Sequence, residues 1–169
     1  MTGPPPASRE RFVALVESHR GILHSVGRAY CWDDAERDDL VQEMLVQAWR
    51  AFPRYDAARP FGTWLYRLAL NVAISYVRRT APRRGRTVPL DPAVHDRPAP
   101  RDAPPEDARV AALRRLVQAC DPLDRALLLL YLDDRPHAEI ADVLGLSVSN
   151  VATKIHRLKR RLRRDLGAP

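Results

Sequence analysis

Three stretches before residue 81 carry apolar residues at helical spacing, with no convincing strand alternation between them. The first, residues 9–30, turns Phe12, Leu15, Val16, Ile22, Leu23 and Val26 to one side. The second begins after Asp33 and Asp34, an acidic pair suited to the positive end of a helix, and buries Leu40, Met44, Leu45, Ala48 and Trp49. The third, residues 61–79, places Trp64, Leu65, Leu68, Ala69, Val72 and Tyr76 on its core side. Phe61 and Trp64 are assigned to that core rather than to ligand stacking. Periodicity then stops. Pro82, Pro89, Pro92, Pro98, Pro100, Pro104 and Pro105 remove amide donors and restrict their predecessors, which predicts an extended, flexible linker over 81–105. Helices are expected again over 106–119 and 122–132, with Leu113, Leu116, Leu127 and Leu130 in a second core.

The last pair of helices, residues 137–164, has the spacing of a helix-turn-helix. Ala141 is small where the helices cross, Gly145 can take a positive φ in the turn, and Val151 is a branched core residue. Ser147 is placed to cap the second helix, while Leu144 and Leu146 pack the turn. Val151, Ile155, Leu158 and Leu162 face inward, and Ser149, Asn150, Thr153, Lys154, Arg157, Arg160 and Arg161 occupy the opposite face. Hydroxyl and amide groups at the start of such a helix suit base edges, and the later cations suit phosphates. The predicted fold is therefore all-α: two small helical bundles, residues 9–80 and 106–166, joined by a Pro-rich linker, the second containing the helix-turn-helix.

Two further surfaces carry candidate chemistry. Asp38, Asp39, Gln42, Glu43 and Gln47 crowd the outer face of the second helix, which fits a protein partner and equally a solvated face. On the third helix, Arg67, Asn71, Arg78 and Arg79 lie among Tyr66, Leu70, Ile74 and Ser75 on the side assigned away from the core. Cations interleaved with aromatic and amide groups suit nucleic acid. A formal net charge of +7 favours a polyanionic partner without naming one. Cys31 and Cys120 are expected as reduced, packed thiols, and no signal-peptide or membrane-spanning segment is recognisable, so a cytoplasmic protein is expected. No Ser-His-Asp set, metal-binding cluster or Gly-rich phosphate loop stands out, which argues against an enzyme, a cofactor or a small-molecule substrate.

DDLVQEMLVQAWRAF, then FGTWLYRLALNVAISYVRR, then the terminal helix-turn-helix resemble, in that order, the two-domain bacterial sigma factors of the extracytoplasmic-function (ECF) type. The resemblance implies a transcription initiation factor bound to the clamp helices and flap of core RNA polymerase. It assigns Asp39, Gln42, Glu43 and Gln47 to polymerase binding and the helix-turn-helix face to duplex DNA at the −35 element. It assigns Tyr55, Asp56, Arg59, Asn71, Ile74, Ser75, Arg78 and Arg79 to the single-stranded −10 element, with a base drawn into a pocket formed by the 56–60 loop, Tyr55 and Asn71. An anti-sigma partner is also implied. Ser75 stands where many members are acidic, and His137 where many are aromatic; His137 is assigned to a helix start rather than a metal site. The rival reading is a conventional helix-turn-helix regulator binding a palindrome as a dimer.

Overall fold

Asp33 sets the first boundary: its carboxylate accepts hydrogen bonds from the Ala35 and Glu36 amides at 3.0 and 3.1 Å, capping a helix. In the computed structural model, which describes residues 6–86, 117 and 119–165, that helix is α2 (Asp34–Ala51). It is preceded by α1 (Pro6–Tyr30) and followed, after a single 3₁₀ turn at Phe52–Arg54, by α3 (Phe61–Arg86). Val26, Leu40, Met44, Ala48, Leu65, Ala69 and Ala73 are fully buried where these three helices meet. Gly27 allows α1 and α2 to approach closely, because a Cβ there would lie 3.1 Å from side-chain carbons of both Arg37 and Val41.

The second half comprises α4 (Pro122–Leu132), α5 (His137–Leu144) and α6 (Val148–Asp165). Asp121 caps α4 by accepting from the Leu123 and Asp124 amides, both at 2.9 Å, with Pro122 in the first turn, where no amide donor is needed. Gly145 ends α5 in the left-handed region at φ 67°, and Leu146 N–H donates back to Ala141 O at 3.0 Å. Ser147 Oγ then accepts from Asn150 N–H at 3.2 Å, so turn and cap form as the spacing predicts. Leu127, Leu130, Ile140 and Val151 close the second core. Among the described residues no helix is long and apolar enough to cross a membrane.

Helix α3 continues past Pro82 to Arg86, beyond the point where the proline pattern predicted the linker to begin. A proline inside a helix forfeits its own N–H bond and crowds the carbonyl four residues back, yet α3 runs through it. Residues 87–105, and most of the helix expected over 106–119 with Leu113 and Leu116, lie outside the described residues.

The two halves pack on each other. Tyr30 Oη donates to Pro122 O at 2.6 Å, and the Arg125 guanidinium sits 5.3 Å from the Tyr30 ring while donating to Ala29 O and Cys120 O. This packing corrects one expectation: Tyr66 and Leu70, assigned to the polar side of α3, are 0% and 1% exposed. Helices α4 and α5 contribute a second set of neighbours to α3, so residues turned away from the first core are still covered.

Candidate nucleic-acid interface

The apolar stripe of α6 places Val151, Ile155 and Leu158 in the core, so geometry alone turns Ser149, Asn150, Thr153, Arg157 and Arg160 outward. Thr153 Oγ1 donates to Ser149 O at 2.9 Å. Lys154 is half-buried and leans on α4, its Nζ 3.8 Å from Asp124 Oδ1. Burial, and then the adjacent Asp121 carboxylate, raise Asp124 above the usual carboxylate range, while Lys154 pulls it back. Arg161 is half-buried, whereas Ala152 and His156 are exposed within the same outward face. Sequence reasoning passed over both; their spacing from Ser149 and Arg160 is the signal that would have found them.

The first half holds an open groove of about 540 Å³ between α2 and α3. Glu43, Gln47 and Ala51 form one wall, and Trp64, Arg67, Leu68, Asn71, Val72, Ser75 and Arg79 form the other. Residues assigned by resemblance to different partners thus share one cleft, and Arg79 bridges it to Glu43 at 2.9 Å. Asp39 and Gln42 remain on the outer surface of α2. Arg78 is exposed on α3, and Ile74 is half-buried against the core. Trp64, Leu68 and Val72, expected as core, pack against it half-buried and also line the groove.

The loop before α3 is braced from within. Tyr55 stacks on Phe52 with ring centroids 5.9 Å apart, lies 5.1 Å from Trp64, and donates its hydroxyl to Arg59 O at 2.6 Å. Asp56 accepts from Ala58 N–H at 2.9 Å, and Arg59 reaches Asp142 of α5 at 3.8 Å. Trp64 therefore joins this aromatic cluster to the groove wall. A third feature went unseen in the sequence: a small apolar groove of about 100 Å³ between α4 and α6, lined by Leu128, Tyr131, Leu132, Ile155, Leu158 and Leu162. Leu132 beside it is 59% exposed. Among the described residues no cluster of His, Cys, Asp or Glu is placed to hold a metal ion.

Two family models match the chain: Sigma-70 region 2 over residues 15–83, and Sigma-70, region 4, over residues 111–162. SigL of Mycobacterium tuberculosis, an ECF RNA polymerase sigma factor, is 31% identical over 175 residues, covering 98% of this chain and 94% of the relative. The chain belongs to the ECF sigma factors. SigW of Bacillus subtilis is 25% identical over 169 residues, covering 94% of this chain and 90% of its own length. The solved structure of CnrH in complex with the cytosolic domain of CnrY matches with a TM-score of 0.68 and 27% identity, over 95% of this chain and 90% of that one. CnrH of Cupriavidus metallidurans is also a sequence relative, 28% identical over 170 residues. As a sigma factor the chain binds core RNA polymerase and directs it to promoters. Sigma factors are, in general, initiation factors rather than enzymes. The dimeric-regulator reading is not favoured.

Proposed function

We propose that the two halves divide promoter recognition, the helices up to Arg86 serving the −10 element and residues 106–166 the −35 element, with 87–105 as the connecting tether. Ser149, Asn150 and Thr153 meet base edges in the major groove together with Arg157, while Lys154, Arg160 and Arg161 neutralise phosphates. The non-template strand crosses the α2–α3 groove, where Asn71 and Ser75 meet a base edge, Arg78 and Arg79 its backbone, and Ile74 an apolar flank. The braced loop holding Tyr55, Asp56 and Arg59 shapes the pocket for a displaced base. Asp39 and Gln42, with Glu43 and Gln47 at the groove edge, meet the clamp helices, and the apolar groove around Leu132 seats the polymerase flap. The protein acts in the cytoplasm, carries out no chemistry itself and needs no cofactor. Solved relatives were captured with the cytosolic domain of CnrY and with the anti-sigma factor NepR, and an anti-sigma protein of comparable kind is proposed here.

The observation that carries this reading is the α2–α3 groove, which joins cation, amide, hydroxyl and aromatic groups on one open wall. A regulator that only grips duplex DNA has no use for such a wall. The test is transcription in vitro with core polymerase and mapped start sites. Arg157→Ala should weaken initiation from the cognate promoter by about 1–3 kcal/mol if the arginine grips a base edge in two-pronged fashion. Start-site use identical to that of the parent protein would refute the assignment of this face.

A further inference from the structure

We propose, resting on the assignment of the helix-turn-helix face to duplex DNA made above, that Val148 and Ala152 read thymine in the −35 element through its 5-methyl group. Val13, Val46, Leu132 and Val148 are the large apolar side chains left exposed among the described residues, and of these Val148 alone stands on α6. It is the first residue of that helix and is 50% exposed. Neither capping nor core packing accounts for it, because Ser147 supplies the cap and Val151, Ile155 and Leu158 fill the core. Ala152, one turn further on, is exposed beside it, so an apolar strip runs along the leading end of the helix next to Ser149 and Thr153.

The hydroxyls at this end of the helix do not supply all of its sequence readers. Thr153 Oγ1 donates its proton to Ser149 O at 2.9 Å, and Ser149 Oγ lies 3.2 Å from Ser147 Oγ, so both are already engaged within the protein. In the major groove the apolar feature of a base edge is the thymine 5-methyl group, which separates A·T from T·A and from both orientations of G·C. Arg160 and Arg161 draw α6 onto the phosphates, and the N-terminal residues of a recognition helix are those that meet base edges. A valine isopropyl group and an alanine methyl set there shield a thymine methyl from water. Opposite a G·C pair the same strip covers polar atoms without pairing them, which is costly. Four residues of helix span about 6 Å, less than two steps of B-DNA at about 3.4 Å, so both side chains fit one short A·T run.

The test uses holoenzyme, reconstituted from core RNA polymerase and the full chain, on linear promoter fragments chosen from mapped start sites. Each thymine of the −35 element, on either strand, is replaced singly by deoxyuridine, which lacks only the 5-methyl group. Binding of the parent holoenzyme, measured by competition at fixed salt, should weaken about three- to five-fold at one or two of these positions, the worth of one buried methyl. With Val148→Ala or Ala152→Ser, binding to the unmodified fragment should fall, and the further loss on deoxyuridine should shrink to less than about two-fold at the thymine that each side chain faces. Both positions are exposed, so the substitutions leave the core intact. A −35 element without an A·T pair, no position sensitive to the missing methyl, or a sensitivity undiminished in both variants would overturn the methyl readout. Failure of the underlying contact assignment shows itself separately, as unaltered promoter use in Arg157→Ala.

Discussion

Asn71→Ala isolates strand capture from every other property of the protein. The amide is exposed on the α3 wall of the groove, one helical turn from both Arg67 and Ser75, and contributes nothing to the buried core. Alanine is the better helix former by up to ~0.7 kcal/mol, so the variant should be as stable as the parent or slightly more so. What it loses, on the role proposed for this groove, is hydrogen bonding to a base edge. In a groove still open to solvent one neutral hydrogen bond is worth about 1 kcal/mol net, a factor of about five in equilibrium. Open-complex formation, followed by permanganate reactivity of unpaired thymines, should therefore fall about five-fold at saturating polymerase. Affinity for core enzyme, measured by fluorescence anisotropy, should be unchanged. Normal promoter opening, or a defect accounted for wholly by weaker polymerase binding, would remove Asn71 from the strand-binding wall.

Asp124→Asn should release Lys154 from its partner on α4 and remove a carboxylate that burial already disfavours. Binding of the full chain to a −35 duplex should then tighten at low salt, with a log K against log salt slope steeper by about 0.9, and an unchanged slope would place Lys154 off the DNA. Gly145→Ala meets no atom within 4 Å of the added Cβ, so its cost is the left-handed backbone alone, about 1–2 kcal/mol in denaturant unfolding. A loss under ~0.5 kcal/mol would mean that the turn relaxes. Burial raises the Tyr30 and Tyr66 hydroxyls above their ordinary value of 10.0, and the bond to Asp133 raises Tyr66 further. A group whose pKa is raised on folding contributes stability below its unfolded value and loses it as pH climbs. Thermal stability should consequently drop above pH 10.0, and the drop should shrink in a Tyr30→Phe, Tyr66→Phe double variant.

Local signals were legible and tertiary ones were not, and α3 shows where the line falls. The Asp33 cap, the start at Phe61, the left-handed Gly145 and the Ser147 cap each depend on neighbours a few residues away, so spacing revealed them. Periodicity also placed Tyr66, Leu70 and Ile74 on the side of α3 away from Trp64 and Leu68. It could not say what covers each side. Trp64, Leu68 and Val72, assigned to the core, pack against it but also line an open groove, while Tyr66 and Leu70 were assigned outward but are buried. Arg125, Asp133 and Arg135 look like surface charges in a sequence, yet Arg125 is only 8% exposed and donates to Ala29 O across the seam and to Cys120 O within its own half. Likewise nothing within a few residues of Lys154 or Arg79 announces Asp124 or Glu43 as a partner. Helix α3 is thus a two-sided element: one side lines the groove with Asn71, and the other packs Tyr66 against the second half of the chain. Because the two sides share one rigid helix but no contact residues, substitutions on them should be separable, Asn71→Ala lowering open-complex formation without loss of thermal stability and Tyr66→Phe lowering thermal stability without changing mapped start sites.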